Sequence, residues 1–241
     1  MSELGKKTIS GVLWSGIERL LVQGIQFILG IVLARLLLPA DYGLIGMLTI
    51  FFAISLAIVD SGFSQALIQR KNVTQTDYST VFYFNLLTSL CIYASLYFSS
   101  PYIAAFFEEP RLTLITRVIS LSILFNALSI IQIAKLTKAL DFKSQTKCSV
   151  IAIVVSGIIG IYLAFLGHGV WALVIQMVSK SILNLLLLIL FAWWWPSLVF
   201  SKKSLKSLFS FGSKLLASGL LNAVLIIYIM LLLGSSFLLK N

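Results

Sequence analysis

Tyr78–Phe107 reads YSTVFYFNLLTSLCIYASLYFSSPYIAAFF, 30 residues without one charged side chain. A helix rising about 1.5 Å per residue needs roughly 20 apolar residues to cross a hydrocarbon layer about 30 Å thick. This stretch is long enough, and it is not alone. Tyr42–Val59 and Leu215–Leu239 are uncharged for 18 and 25 residues, and Cys148–Ser179 for 32. The last is too long for one ordinary crossing, and Gly167-His168-Gly169 supplies a hairpin that divides it. Spans are expected at 12–34, 42–64, 78–100, 112–134, 148–166, 170–192 and 210–233.

Composition agrees. The 241 residues are 59% hydrophobic and 11% charged, with mean hydropathy +1.03; a soluble domain carries about 25% charged residues. The fold class is an all-α polytopic membrane protein. Soluble enzymes, nucleic-acid binders and disulfide-stapled secreted scaffolds are excluded as classes. Connections between spans are short, which leaves no room among them for a catalytic domain.

The net charge of +10 is explained by placement. With the N-terminus inside, cytoplasmic segments hold twelve basic residues: Lys6, Lys7, Arg70, Lys71, Lys135, Lys138, Lys143, Lys147, Lys202, Lys203, Lys206 and Lys214. Arg35, Arg111, Arg117 and Lys240 fall outside, four in all. That asymmetry places the N-terminus in the cytoplasm and the excess charge against anionic membrane lipids, not against nucleic acid. Trp193-Trp194-Trp195-Pro196 marks the cytoplasmic end of the sixth span and Trp171 its outer end. Lys6 and Lys7 imitate a signal-peptide start, but Glu18 and Arg19 interrupt any apolar core and no A-x-A site follows. Asn72-Val73-Thr74 is discounted as a glycosylation sequon because its loop is cytoplasmic. Cys91 and Cys148 read as packing residues. His168, the single histidine, reads as a turn residue with no companion to share a metal.

Polar residues inside the spans recur at helical spacing. Ser15, Arg19, Gln23, Gln26 and Gly30 occupy one face of span 1. Span 3 offers Asn85, Thr88, Ser95 and Ser99; span 4 offers Ser122, Asn126, Ser129 and Gln132; span 6 offers Gln176, Lys180 and Asn184. Span 5 reads as small-residue packing through Ser156 and Gly160. Hydrogen bonding between helices accounts for any single stripe. Several stripes together, two with a cation, point to a central polar cavity, with Arg19, Lys180, Gln23, Gln26, Asn85, Asn126 and Gln176 as its candidate binding residues. Arg19 reads equally as an interfacial anchor beside Glu18. Asp60 is open to pairing with either cation, to capping a helix, or to titrating; Glu18 and Asp60 are the coupling or ion-pair candidates. Nucleotide-binding, zinc-protease and nucleophile-elbow motifs are missing, so no cofactor, metal or catalytic residue is expected, and transport energy would come from a gradient.

At this point the residues acquire a likeness. Ala34-Arg35-Leu36-Leu37-Leu38-Pro39-Ala40-Asp41-Tyr42-Gly43 resembles the first outer loop of bacterial polysaccharide and O-antigen flippases, the Wzx-type lipid-linked oligosaccharide exporters. Asp60-Ser61-Gly62-Phe63-Ser64-Gln65-Ala66-Leu67-Ile68-Gln69-Arg70-Lys71 resembles that family's segment leading into the second loop, and Leu140-Asp141-Phe142-Lys143 and Gly167-His168-Gly169-Val170-Trp171-Ala172-Leu173-Val174 resemble its later loops. The resemblance implies two six-helix lobes around a cationic cavity in the bacterial inner membrane, carrying undecaprenyl-pyrophosphate-linked oligosaccharide and working beside polysaccharide polymerase and assembly machinery. On that pattern residues 1–200 are the first lobe and 201–241 the start of a second, apparently truncated one. A multidrug-type antiporter of the same superfamily is the runner-up, and a non-transporting remnant or structural subunit is a further alternative. A drug antiporter's cavity would favour acids, whereas Arg19 and Lys180 favour an anionic headgroup.

Overall fold

In a computed structural model, which describes residues 3–60 and 62–209 and side chains from residue 13 onward, the chain is a bundle of helices. They are α1 (Glu3–Leu36), α2 (Pro39–Asp60), α3 (Phe63–Gln69), α4 (Gln75–Phe106), α5 (Leu112–Ile119), α6 (Leu121–Lys138), α7 (Phe142–Phe165) and α8 (Val170–Ala192). No strand occurs among the described residues. Among the described residues six segments are long and apolar enough to cross a membrane: Leu13–Leu36, Pro39–Gln69, Gln75–Phe106, Leu112–Lys138, Phe142–Phe165 and Val170–Ala192. The protein is an all-α polytopic membrane protein. The expected seventh span, 210–233, lies outside the described residues.

Several boundaries differ from the sequence expectation, and two of the differences arise at a glycine and a proline. The second span does not stop at 64, because α3 continues it to Gln69 after a left-handed Gly62 (φ 69°). The third passes Pro101 to Phe106. Proline cannot donate to the carbonyl of Tyr97 four residues back, but the Ser100 hydroxyl donates to it instead, at 2.7 Å. The helix is patched, not broken. Span 4 is divided at Ser120 into α5 and α6.

Local signals fix the ends. Thr74 caps α4 reciprocally: its hydroxyl accepts from the Asp77 N–H (3.3 Å), and the Asp77 carboxylate accepts from the Thr74 N–H (2.9 Å). Two orphan donors of the first turn are thereby satisfied. Three hairpins share one stop device, a positive-φ residue followed by an N–H that reaches back five residues. The pairs are Glu108 with Glu109 N to Ala104 O, Leu140 with Asp141 N to Leu136 O, and Gly167 with His168 N to Leu163 O. Asp141 then caps α7 by accepting from the Ser144 N–H at 3.1 Å. His168 is thus part of a turn.

Small residues on α7 set the packing. A side chain on Gly157 would meet Leu29 of α1, and one on Gly160 would meet Gln176 of α8; Ser156, next to Gly157, is fully buried. Close backbone approach of this kind is what holds helices together where lipid offers no hydrophobic contrast. The main apolar core lies among α2, α4, α5, α6 and α8, around Leu48, Val59, Leu112, Ile115, Ile119, Ile123 and Val174. Helix α1 stands at the edge, packed along α7, with Leu21, Phe27 and Ile28 turned outward.

Candidate functional site

Because α1 leans on α7 and not on α2, a cavity of about 1000 Å³ opens between them. Helices α1, α2, α6, α7 and α8 line it. The polar stripe of α1 faces in with Ser15, Glu18, Arg19, Gln23 and Gln26. Helix α8 contributes Gln176, Lys180, Ser181 and Asn184, α6 contributes Ser122 and Asn126, and α7 contributes Gln145 and Ser149. The α2 wall is different: apart from Tyr42 it presents Ile45, Phe52 and Leu56. One side of the cavity is therefore amide, hydroxyl and charge, and another is hydrocarbon.

The charged groups are arranged sparingly. Glu18 accepts a hydrogen bond from the Ser149 hydroxyl at 2.9 Å. Among the described residues the ion pairs are Arg70–Asp77 and Arg111–Glu109, and neither touches the cavity. Arg19 and Lys180 thus face the same space with no carboxylate within 4 Å among those residues. Lys180 sits ten residues into the 23-residue α8, near mid-depth, where an unpaired cation is costly unless water or an anion reaches it.

Seven of the nine residues singled out from the sequence meet here: Glu18, Arg19, Gln23, Gln26, Asn126, Gln176 and Lys180. Two do not. Asn85 is fully buried, with neither amide atom hydrogen-bonded among the described residues, on a helix that supplies no lining residue. Its stripe on α4 failed as a cavity signal because α4 packs against α5 and α6, and its hydroxyls bond their own backbone, as Ser95 does to Cys91 O. Asp60 ends α2 with an exposed side chain, outside the lining, and no described cation lies within 4 Å of it.

Tyr42, Gln145, Ser149 and Ser181 also line the cavity and were not anticipated. Gln145, Ser149, Ala152 and Ser156 follow one another at helical spacing. That stripe was there to be found, but a span beginning at 148 cut off Gln145, whereas α7 begins at Phe142.

Comparison with known proteins narrows the reading. Residues 32–239 match the family described as "Polysaccharide biosynthesis protein". The chain belongs to this family. It is similar to the teichuronic acid biosynthesis protein TuaB of Bacillus subtilis (strain 168), at 30% identity over 92% of this chain and 46% of TuaB. It also resembles the succinoglycan biosynthesis transport protein ExoT of Rhizobium meliloti (strain 1021), at 25% identity over 86% of this chain and 42% of ExoT. The lipopolysaccharide biosynthesis protein WzxC of Escherichia coli (strain K12) is 26% identical over 49% of this chain and 24% of WzxC. No solved structure gives a significant match. This family member spans about half the length of the first two relatives.

Proposed function

We propose that residues 1–200 form the substrate-facing lobe of a flippase that passes lipid-linked oligosaccharide across the bacterial inner membrane, with the N-terminus in the cytoplasm and 201–241 opening a second lobe. One observation carries the reading: Arg19 and Lys180, on α1 and α8, face a single cavity without a carboxylate in ion-pair range among the described residues. A pyrophosphate headgroup must cross a layer of low dielectric, and fixed cations lower that barrier. The guanidinium of Arg19 suits two phosphate oxygens at once, and Lys180 acts as a point charge deeper in. Gln23, Gln26, Asn126 and Gln176 offer the donors and acceptors that sugar hydroxyls require. Ile45, Phe52 and Leu56 offer a surface along which a polyprenyl chain can run. The names of the relatives, which concern teichuronic acid, succinoglycan and lipopolysaccharide, support the substrate class. The lobe performs no covalent chemistry in this reading; it binds and releases, with energy drawn from a gradient and with polysaccharide assembly enzymes downstream.

The test is direct binding to the full chain in nanodiscs. A polyprenyl-pyrophosphate glycan should bind at least tenfold more tightly than a lipophilic cation. Lys180→Ala should remove most of that preference, and Lys180→Arg should retain part of it. Preference for the lipophilic cation would instead favour the multidrug-antiporter reading, in which Glu18 is the principal contact.

A further inference from the structure

The segment leaving α8 is tied down. Trp193 ends the helix in the left-handed region (φ 42°, ψ 51°), and the chain turns back across the N-terminal end of α4. The Trp194 indole N–H donates to Gln75 Oε1 at 2.7 Å, and Gln75 Nε2 donates to the Trp195 carbonyl at 2.9 Å. The Ser197 N–H donates to Ser79 Oγ at 3.0 Å, and the Ser201 N–H to Thr80 Oγ1 at 3.1 Å. The Lys135 ammonium stands 5.8 and 5.7 Å from the rings of Tyr78 and Trp194. Residues 202–209 are helical, with Leu208 buried and Leu205 packed in the cluster of Phe63, Leu67, Val81 and Trp194.

What this anchoring leaves outside is informative. Leu198 is 95% exposed, Trp193 79% and Trp195 68%, and Phe200 is exposed beside them. A backbone bonded to α4 cannot fold these side chains inward. They stand at the end of a membrane-spanning helix, on the face where α1, α4 and α7 also begin. Apolar and indole groups at that depth belong at the boundary between headgroups and acyl chains. Lys202, Lys203 and Lys206 follow, all exposed; helical spacing turns Lys203 and Lys206 away from Leu205 and Leu208, with Lys202 at the flank. Asp77, the acid in contact with this segment, is engaged by Arg70 (3.3 Å), by both donors of Thr74 and by Ser204. No described carboxylate lies within 4 Å of the three lysines.

We propose that residues 193–206 are a binding site for an anionic phospholipid, with the phosphate at Lys202, Lys203 and Lys206 and the acyl chains along Trp195, Leu198 and Phe200. The charge complementarity and the fixed apolar rim select this occupant. The site is separate from the cavity and does not depend on what the cavity carries.

The experiment uses the full chain in phosphatidylcholine nanodiscs holding a minor fraction of acyl-brominated phosphatidylglycerol or, at equal fraction, acyl-brominated phosphatidylcholine. Brominated phosphatidylglycerol should quench the tryptophan fluorescence more strongly, and added salt should shrink the excess. Trp193→Phe/Trp195→Phe should remove most of the excess, and Lys202→Gln/Lys203→Gln/Lys206→Gln should abolish it, at about fivefold in local affinity per lysine. Equal quenching by the two lipids in the native protein overturns the proposal and indicates that other protein covers the face. An excess that survives the triple lysine variant overturns it as well. Should that variant fail to accumulate, an excess that resists salt or survives the double tryptophan variant has the same force. Loss of the excess on adding trace polyprenyl pyrophosphate would assign the site to the lipid carrier and not to a bulk phospholipid.

Discussion

The Ser149 hydroxyl of α7 donates to the Glu18 carboxylate of α1 across 2.9 Å. This bond holds the cavity's acid against α7, while Arg19 on the next residue and Lys180 on α8 face the same space. A carboxylate loose in that space would compete with an anionic ligand for both cations.

Ser149→Ala should therefore weaken binding of a polyprenyl-pyrophosphate ligand by about fivefold, the effect of one solvated ion pair. Glu18→Gln in the same background should restore it. Unchanged binding in Ser149→Ala, measured in nanodiscs, would mean that Glu18 does not reach either cation.

A Cβ added at Gly160 would stand 3.0 Å from Cβ of Gln176. Gly160→Leu should overpack the α7–α8 contact and destabilise by roughly 1–3 kcal/mol, seen as a lower thermal midpoint in detergent. Gly160→Ala should be milder, with weaker ligand binding because Gln176 is displaced from the cavity wall.

Asp77 is nearly fully buried, accepting from Thr74 and pairing with Arg70 at 3.3 Å. Asp77→Ala strands the Thr74 N–H and the Arg70 guanidinium, which is itself partly exposed, and should cost about 1–3 kcal/mol. Hydrogen exchange should rise first at residues 70–80 and 197–204, which this carboxylate ties together.

Asn85 is fully buried, and its amide has no hydrogen-bond partner among the described residues. Asn85→Leu should leave ligand binding unchanged and hold or raise the thermal midpoint, since an unsatisfied buried amide costs about 1–3 kcal/mol. A large loss of binding would place Asn85 in the substrate path after all.

For orientation, alkaline phosphatase fused at Lys143 should be inactive and fused after His168 active, because α7 separates them. Equal activity at both points would contradict that crossing, and the reversed pattern would contradict a cytoplasmic N-terminus.

The sequence by itself determined that this chain crosses a membrane as helices and where most crossings lie. Uncharged runs such as Tyr78–Phe107 permit little else, since each backbone N–H and C=O in hydrocarbon must be bonded within its own segment. It also gave the α1 stripe from Ser15 to Gly30, because a 3.6-residue period is a property of one helix alone. Which stripes meet is a property of several helices. Small residues at Gly157 and Gly160 draw α1 and α8 onto α7, and that close approach turns Arg19, Gln176 and Lys180 toward common space. The α4 stripe has the same spacing, but α4 packs against α5 and α6, so Asn85 faces protein and not the cavity. Nor does periodicity reveal that Ser149 restrains Glu18, a hydrogen bond between residues 131 positions apart. Hydropathy reports each helix against lipid; only the packing of helix on helix decided which polar groups share a site.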